Sequence, residues 1–272
     1  MTESRYTHGY DESVLRSHTW RTVDNSAAYL APHLRPGLSL LDVGCGPGTI
    51  TSEFAHRLAP GRVVAIDPSA EVLSAARVVA ENAGATIHFV QADIYDDVHA
   101  WAPGGERFDI VHAHQVLQHV PDPVTALRAM RATCAPGGLV AARDADYAGF
   151  FWYPRIPELD EWLELYRAVA RGNGGEPNAA RHMLAWARAA GFTEISVIPE
   201  IWCFATDAER RWWGSLWADR TRKSAVAKAA LERGLATTAD LERIAAGWET
   251  WSSEADGTFV VPHVAILCRN TP

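Results

Sequence analysis

Residues 40–49 (LLDVGCGPGT) combine an apolar run with three glycines spaced two residues apart. The run predicts a buried strand, and the glycines predict a turn that leads into a helix. Because Gly44, Gly46 and Gly48 have no side chain, a ligand can lie against their backbone and meet the N–H groups of the helix start. Asp42 adds a carboxylate at the strand end, where an ammonium group could sit. The segment therefore predicts a site for a nucleoside-like molecule with an amino-acid tail.

The spacing of the glycines bears on which nucleoside would bind. A dinucleotide fingerprint has the pattern G-x-G-x-x-G, or alanine in the last place. Counted from Gly44, that last place is Thr49, and the chain instead has G-x-G-x-G. This pattern favours S-adenosylmethionine over a dinucleotide, and a purely structural glycine turn is a third interpretation.

Two more carboxylates follow strand-like runs further along the chain. The run at 62–66 ends at Asp67, about 20 positions beyond the glycine turn, where an acidic residue can bind both ribose hydroxyls. The run at 86–90 is followed by Asp93, an acceptor for an adenine amine. Since ligands of open parallel sheets bind at the carboxyl ends of the strands, we expect Asp42, Asp67 and Asp93 to meet at one edge.

Four motifs in this order resemble the class I S-adenosylmethionine-dependent methyltransferases, and most closely their UbiE-like small-molecule group. They are LLDVGCGPGTIT (40–51), VVAIDPSAEVL (63–73), VQADIYDD (90–97) and FDIVHAHQVLQHVPDP (108–123). The resemblance covers about residues 38–144. It implies an α/β fold with a Rossmann-like, seven-stranded, mostly parallel sheet and helices on both faces. It also implies S-adenosylmethionine as cofactor and S-adenosylhomocysteine as product.

The same resemblance indicates further cofactor contacts. Pro68 and Ile94 adjoin the second and third carboxylates, and His114 and Gln115 fall at the end of the fourth strand, toward the methionine part of the cofactor. An N-terminal segment closes on the cofactor's amino-acid end in related enzymes, and here it would supply Tyr10, His18 and Arg21. An ordinary helix packed on the sheet is the alternative for the last two residues.

An oxygen or acidic carbon acceptor needs a base to remove its proton. His119 follows the fourth strand and Asp144 ends the fifth. In natural-product sugar O-methyltransferases that the chain resembles, residues at the matching positions are proposed as acid/base groups, so the resemblance indicates His119 and Asp144 as catalytic. Gln118 departs from the double histidine of those enzymes. A hydrogen-bonded structural role is the alternative for His119.

Composition narrows the class of partner. The chain has 272 residues, of which 48% are hydrophobic and 21% charged, with a formal net charge of −8. This acidic balance argues against nucleic acid or an anionic membrane as partner. The first residues do not resemble a signal peptide, and no apolar run is long enough to span a membrane. The four cysteines lack metal or redox spacing, and the histidine pair at 112 and 114 lacks further ligands, so we expect no metal site and a cytoplasmic protein.

We expect one methyltransferase domain over residues 1–272. It comprises a helical segment at 6–34, a core at about 36–144, 178–204 and 258–269, and inserts at about 145–177 and 205–257 that form a helical cap. Nine of the 11 tryptophans follow residue 150, and aromatic walls suit a hydrophobic or aromatic small molecule. We therefore expect an enzyme of secondary metabolism. The alternatives are a quinone-type C-methyltransferase, a nicotinamide-dependent oxidoreductase and a cofactor-binding protein without catalysis. The acceptor, the methylated atom and the oligomeric state stay open.

Overall fold

The computed structural model describes residues 19–96 and 105–271. Within these ranges the chain forms one eight-stranded sheet. The strands are β1 (Leu40–Val43), β2 (Val63–Asp67), β3 (His88–Gln91), β4 (Phe108–His114), β5 (Cys134–Ala145), β6 (Phe151–Tyr153), β7 (Glu194–Phe204) and β8 (Thr258–Arg269).

The predicted Rossmann-like sheet is confirmed. The first five strands are parallel in the order β3-β2-β1-β4-β5, and β8 then runs antiparallel between β5 and β7. The parallel strands therefore bring their carboxyl ends to one edge, as the three carboxylates require. The eighth strand, β6, was not predicted. It forms because the first residues of β8 extend beyond β5 and pair with Phe151–Tyr153 instead.

Helices cover both faces of the sheet. They are α1 (Val23–Ser26), α2 (Thr49–Leu58), α3 (Ala70–Ala83), α4 (Pro123–Thr133), α5 (Pro157–Gly172), α6 (Met183–Ala189), α7 (Asp207–Lys223), α8 (Ala225–Glu232) and α9 (Thr238–Ser253). Helices α1 and α2 pack apolar side chains on one face of the sheet, and α4 and α6 pack on the other. None of the helices in the described ranges is long and apolar enough to cross a bilayer.

The two inserts are mainly helical. Helices α5, α7 and α9 enclose a cluster of buried aromatic side chains, in which Trp248 and Trp251 are fully buried. Neighbouring rings meet edge-on or stacked, for example Trp162 on Trp217 with centroids 4.6 Å apart. Most of the late tryptophans therefore form a core of the inserts, which is the packing role that large aromatic residues commonly have.

Two predicted elements differ from the structure. The apolar run at 139–143 predicts the fifth strand, which in the structure begins earlier, at Cys134. The helical pattern at 178–190 predicts one helix, but the structure has a 3₁₀ turn at Ala179–His182 followed by α6. Of the helical segment predicted at 6–34, the described part contains α1 and a short 3₁₀ turn at Ala31–His33, and the prediction for 6–18 lies outside the described residues. Tyr10 and His18 lie outside the described residues.

Candidate active site

The glycine turn between β1 and α2 forms a cradle of bare backbone. All three glycines have positive φ, with values of 66° at Gly44, 54° at Gly46 and 79° at Gly48. A Cβ atom at Gly44 would also lie 2.6 Å from Cγ2 of Val116. Gly48 is the N-cap of α2, and no side chain caps the helix. The turn therefore requires glycine and leaves room for a ligand at the start of α2, as the cofactor needs.

Asp67 joins this turn to the end of β2. Its Oδ2 accepts a hydrogen bond from the Gly46 N–H at 3.2 Å, and its Oδ1 accepts one from the Ser69 N–H at 3.0 Å. The residue is 8% exposed. Burial raises the pKa of Asp67, and the charges of Asp42 and Asp93 act in the same direction. Each carboxylate oxygen can accept a second bond, so the side chain retains acceptor capacity for ribose hydroxyls.

Asp42 has two partners inside the protein. One carboxylate oxygen accepts a bond from the Thr51 hydroxyl at 2.5 Å, and the other accepts one from Nδ1 of His112 at 2.8 Å. Asp42 and His112 are both buried. These bonds link β1, α2 and β4 beneath the turn, so the predicted contact with a ligand ammonium group would share the carboxylate with both partners.

The described residues contain no group of three or more metal-ligating side chains.

The loop after β3 completes the same edge of the sheet. Asp93 is exposed, and its Oδ1 accepts a bond from the Tyr95 N–H at 3.1 Å. Ile94 is buried beside it, and the Pro68 carbonyl accepts a bond from the Gln91 side chain at 3.1 Å. The structure thus brings together the residues that the sequence placed at the ends of β2 and β3.

Gln115 directly follows β4 and has a strained backbone conformation. Its φ of 54° is the only positive value at a non-glycine residue within the described part of the chain. Its side-chain Oε1 accepts a bond from Arg21 at 2.6 Å, and its Nε2 lies 3.0 Å from Nε2 of His263. Because Nδ1 of His263 donates to the Val261 carbonyl at 2.9 Å, Nε2 is the acceptor for Gln115. Sequence reasoning missed His263, which lies on the last strand and belongs to none of the motifs.

The two predicted catalytic residues are linked through Gln118. Asp144 is fully buried, and its oxygens accept bonds from the backbone N–H groups of Leu117 and Gln118, both at 3.2 Å. The side-chain Nε2 of Gln118 lies 3.1 Å from Nε2 of His119. Burial raises the pKa of Asp144 to about 7, and burial together with the positive charge of Arg21 lowers the pKa of His119 to about 3.

Arg143 lies on β5 beside Asp144 but on the opposite face of the sheet. Its Nε donates to Glu200 on β7 at 2.6 Å, and its guanidinium carbon lies 4.9 Å from the ring centroid of Trp202. The indole N–H of Trp202 donates to the Asn25 carbonyl at 2.6 Å. Sequence reasoning missed this group as well. An arginine directly after the small apolar run Val140–Ala142 was the one available signal.

Comparisons with known proteins agree with this architecture. The family model for the methyltransferase domain matches residues 15–197. An uncharacterized methyltransferase of Schizosaccharomyces pombe is 31% identical over 97% of this chain and 96% of its own length. A ubiquinone biosynthesis O-methyltransferase of Actinobacillus pleuropneumoniae is 37% identical over 38% of this chain and 44% of its own length.

A solved structure shows the same fold. Phosphoethanolamine N-methyltransferase 2 of Haemonchus contortus, determined with phosphomonomethylethanolamine and S-adenosylhomocysteine, superposes with a TM-score of 0.55 at 16% identity. The match covers 90% of this chain and 52% of that one.

The chain belongs to the class I S-adenosylmethionine-dependent methyltransferases, and it is an enzyme. S-adenosylmethionine is the cofactor, and the glycine cradle with Asp67 fits it.

Proposed function

We propose that this methyltransferase acts on a hydrophobic or aromatic small molecule, in secondary metabolism and in the cytoplasm. The observation that carries the proposal is the placement of the Gln115–His119 turn and Asp144 at the same sheet edge as the glycine cradle. Trp202 and the buried Tyr147 lie near Arg21 at this edge, so an acceptor beside the cofactor would meet aromatic side chains.

The cofactor site in this proposal follows the carboxyl edge of the sheet. Gly44, Gly46 and Gly48 approach the cofactor through their backbone, and Asp67 binds the ribose. Asp93, with Pro68 and Ile94, surrounds the adenine. His114, Gln115 and Arg21 flank the methionine part, where Tyr10 and His18 remain predictions from sequence. Asp42 holds the turn from beneath through Thr51 and His112.

When bound, the cofactor supplies an activated methyl group, and the protein's main task is to position the acceptor. We assign His119 as the group that contacts the acceptor and takes up its proton. Asp144 is fully buried, so it acts through the turn that it holds and is a positioning residue in our assignment. The lowered pKa of His119 keeps its imidazole neutral near pH 7, which an acceptor of protons requires. The same low value makes it a weak base, and a negative charge nearby would strengthen it.

The methylated atom in our proposal is oxygen. The ubiquinone biosynthesis relative matches only 38% of the chain, so its substrate supports this choice by analogy alone. Methylation of a quinone-type carbon is the alternative.

The proposal can be tested with methyl-labelled S-adenosylmethionine and a panel of phenols, hydroxyquinones and their O-blocked analogues. We expect label to enter phenolic or quinone hydroxyls and not the blocked compounds. Label that enters the O-blocked analogues would place the methyl on carbon. Binding of the cofactor with no transfer of label to any compound of the panel would contradict an aromatic acceptor.

A further inference from the structure

Arg143 has hydrogen-bond donors that the fold leaves without a partner. Its side chain is 0% exposed, and Glu200 accepts only the bond from Nε. Neither Nη1 nor Nη2 has a hydrogen-bond partner in the described structure. A guanidinium stays charged in proteins, and burial of unpaired donors is costly. Such an arrangement indicates a partner that binds from outside the chain.

Other buried polar atoms near Arg143 also lack a hydrogen-bond partner in the described structure. We name Tyr29, His114, Arg143, Glu200 and Trp202 the Arg143 cluster. His114 is paired with Arg143 in the β4–β5 register, and neither of its ring nitrogens has a hydrogen-bond partner in the described ranges. The buried Tyr29 hydroxyl also lacks a hydrogen-bond partner in the described ranges. It lies close enough to Arg143 for the positive charge of the guanidinium to favour its ionised form. The cluster therefore offers several unused donors on one face of the sheet.

The charged groups around the cluster are arginines and carboxylates. The guanidinium groups of Arg21 and Arg143 both lie over Trp202, at 5.7 and 4.9 Å from its ring centroid, and Glu200 is the carboxylate bonded to Arg143. Burial lowers the pKa values of His114 and His263, so both are neutral near pH 7. Asp42 lies on the same face further along the sheet, where Thr51 and His112 hold its carboxylate. The two arginines therefore face two carboxylates, and the unused donors of Arg143 rather than a net charge favour an anion.

Shape narrows the class of anion. The two unused nitrogens of a guanidinium form a planar fork that matches a carboxylate. The Trp202 ring beside it contacts His114 at 6.0 Å and His263 at 4.3 Å between centroids, and so provides an aromatic wall. An aromatic carboxylate can bind the guanidinium through its carboxylate and pack its ring against Trp202, whereas a phosphate has no apolar part to pack there.

We infer that Arg143 determines specificity by binding a carboxylate on the methyl acceptor, which is therefore an aromatic acid. This inference rests on the proposed function of the same site. The Trp20–Arg21 segment lies over Trp202, so our inference requires this segment to move when the acceptor binds. The negative charge also offsets Arg21, which otherwise opposes protonation of His119.

The test is calorimetric titration with benzoate and with its neutral analogue benzamide, in the presence and absence of S-adenosylhomocysteine. We expect the wild-type enzyme to bind benzoate at least tenfold more tightly than benzamide. Arg143→Met should remove this preference. Arg155→Met is the matched control, because its side chain is 85% exposed and pairs with Asp160 instead, and it should keep the preference. Equal binding of the two probes by the wild-type enzyme would overturn the inference.

A second variant keeps the test decisive if Arg143→Met fails to fold. Glu200→Gln removes the carboxylate that competes for Arg143, so we expect benzoate to bind about threefold or more tightly than to the wild-type enzyme. Weaker or unchanged binding would contradict the inference.

The cofactor's own carboxylate is the other possible occupant of the fork. If Arg143→Met weakens binding of S-adenosylhomocysteine but not of 5′-methylthioadenosine, which lacks the amino-acid part, Arg143 serves the cofactor and the acceptor assignment is overturned. Unchanged binding of both supports the acceptor. Failure of the wild-type enzyme to bind S-adenosylhomocysteine would instead reject the proposed function, since benzoate binding is also measured without it.

Discussion

At the scale of single residues, Asp67 combines two tasks that a substitution would affect together. Its carboxylate closes the glycine turn through Gly46 and Ser69, and in our proposal it also binds the ribose. We expect Asp67→Ala to weaken S-adenosylhomocysteine binding by about 1–3 kcal/mol, the usual cost of leaving buried donors unpaired. Calorimetry measures the change.

The control for this variant is Asp24→Ala. Asp24 is an exposed residue that pairs with Arg57 at 2.8 Å, and its loss should leave cofactor affinity unchanged. An Asp67→Ala enzyme with wild-type affinity would exclude Asp67 from the ribose site.

His119 can be tested through turnover. If it takes up the acceptor's proton, His119→Ala should lower turnover by roughly 100-fold or more, as is typical for loss of a general base. Affinity for S-adenosylhomocysteine should stay nearly intact. A rate that falls only a few-fold at all pH values would leave His119 a structural role.

The pH dependence of stability gives an independent measure of His119. Its pKa is about 3 in the folded protein and near 6.5 when exposed, so the unfolded chain takes up the proton first as pH falls. The contribution of His119 to stability is therefore full above pH 6.5 and is lost as pH falls toward 3, by up to about 1.4 kcal/mol per pH unit. Denaturant unfolding at pH 7 and pH 5 should show a smaller loss for His119→Gln than for the wild-type enzyme. Equal losses would mean that the folded protein does not depress this pKa.

At the scale of elements, the turn between β1 and α2 depends on both backbone conformation and space. Gly44→Ala would strain a φ of 66° and place Cβ 2.6 Å from Val116. Gly137→Ala would strain a φ of 77° with no atom within 4 Å, so it is the matched control. We expect Gly44→Ala to lower the free energy of unfolding by about 1–3 kcal/mol more than Gly137→Ala does, which is the usual cost of overpacking. Equal destabilisation would mean that Val116 yields without cost.

The elements that sequence predicted well are those with strong local signals. Asp122 followed by Pro123 predicts a helix start, and α4 begins at Pro123. Gly84 predicts a helix end, and α3 ends at Ala83 with Gly84 at a φ of 66°. β6 could not be predicted, because its three residues form a strand only by pairing with the free end of β8. The conformation around Trp20 likewise depends on contacts with Trp202 and Phe204, which are distant in sequence.

The residues of the candidate site also differ in how far a local sequence signal identifies them. The glycines and the three carboxylates could be found because one continuous motif carries each of them. Glu200 and His263 could not, since β7 and β8 bring them to their partners from about 60 to 150 residues away along the chain. Arg143 adjoins Asp144 in sequence, but its importance becomes visible only through its pairing with Glu200. A cofactor site built from local turns is readable from sequence, and the surrounding acceptor residues depend on tertiary pairing.

At the scale of the whole molecule, β8 connects the cofactor-binding sheet to the insert helices. It pairs with β5, β6 and β7, and its residue Phe259 packs among the buried tryptophans of the inserts. The same strand carries His263, which bonds to Gln115 at the candidate active site. The inserts, the sheet and the site therefore all contact β8. A change in the packing of the inserts around Phe259 would act on Gln115 through this strand.

The most direct test of a methyltransferase site at the carboxyl edge of the sheet is calorimetric titration with S-adenosylhomocysteine, with NAD as the control ligand. We expect S-adenosylhomocysteine to bind at one site per chain and NAD to give no heat of binding, because Thr49 stands where a dinucleotide fingerprint has its third glycine. Binding of NAD without binding of S-adenosylhomocysteine would contradict the account.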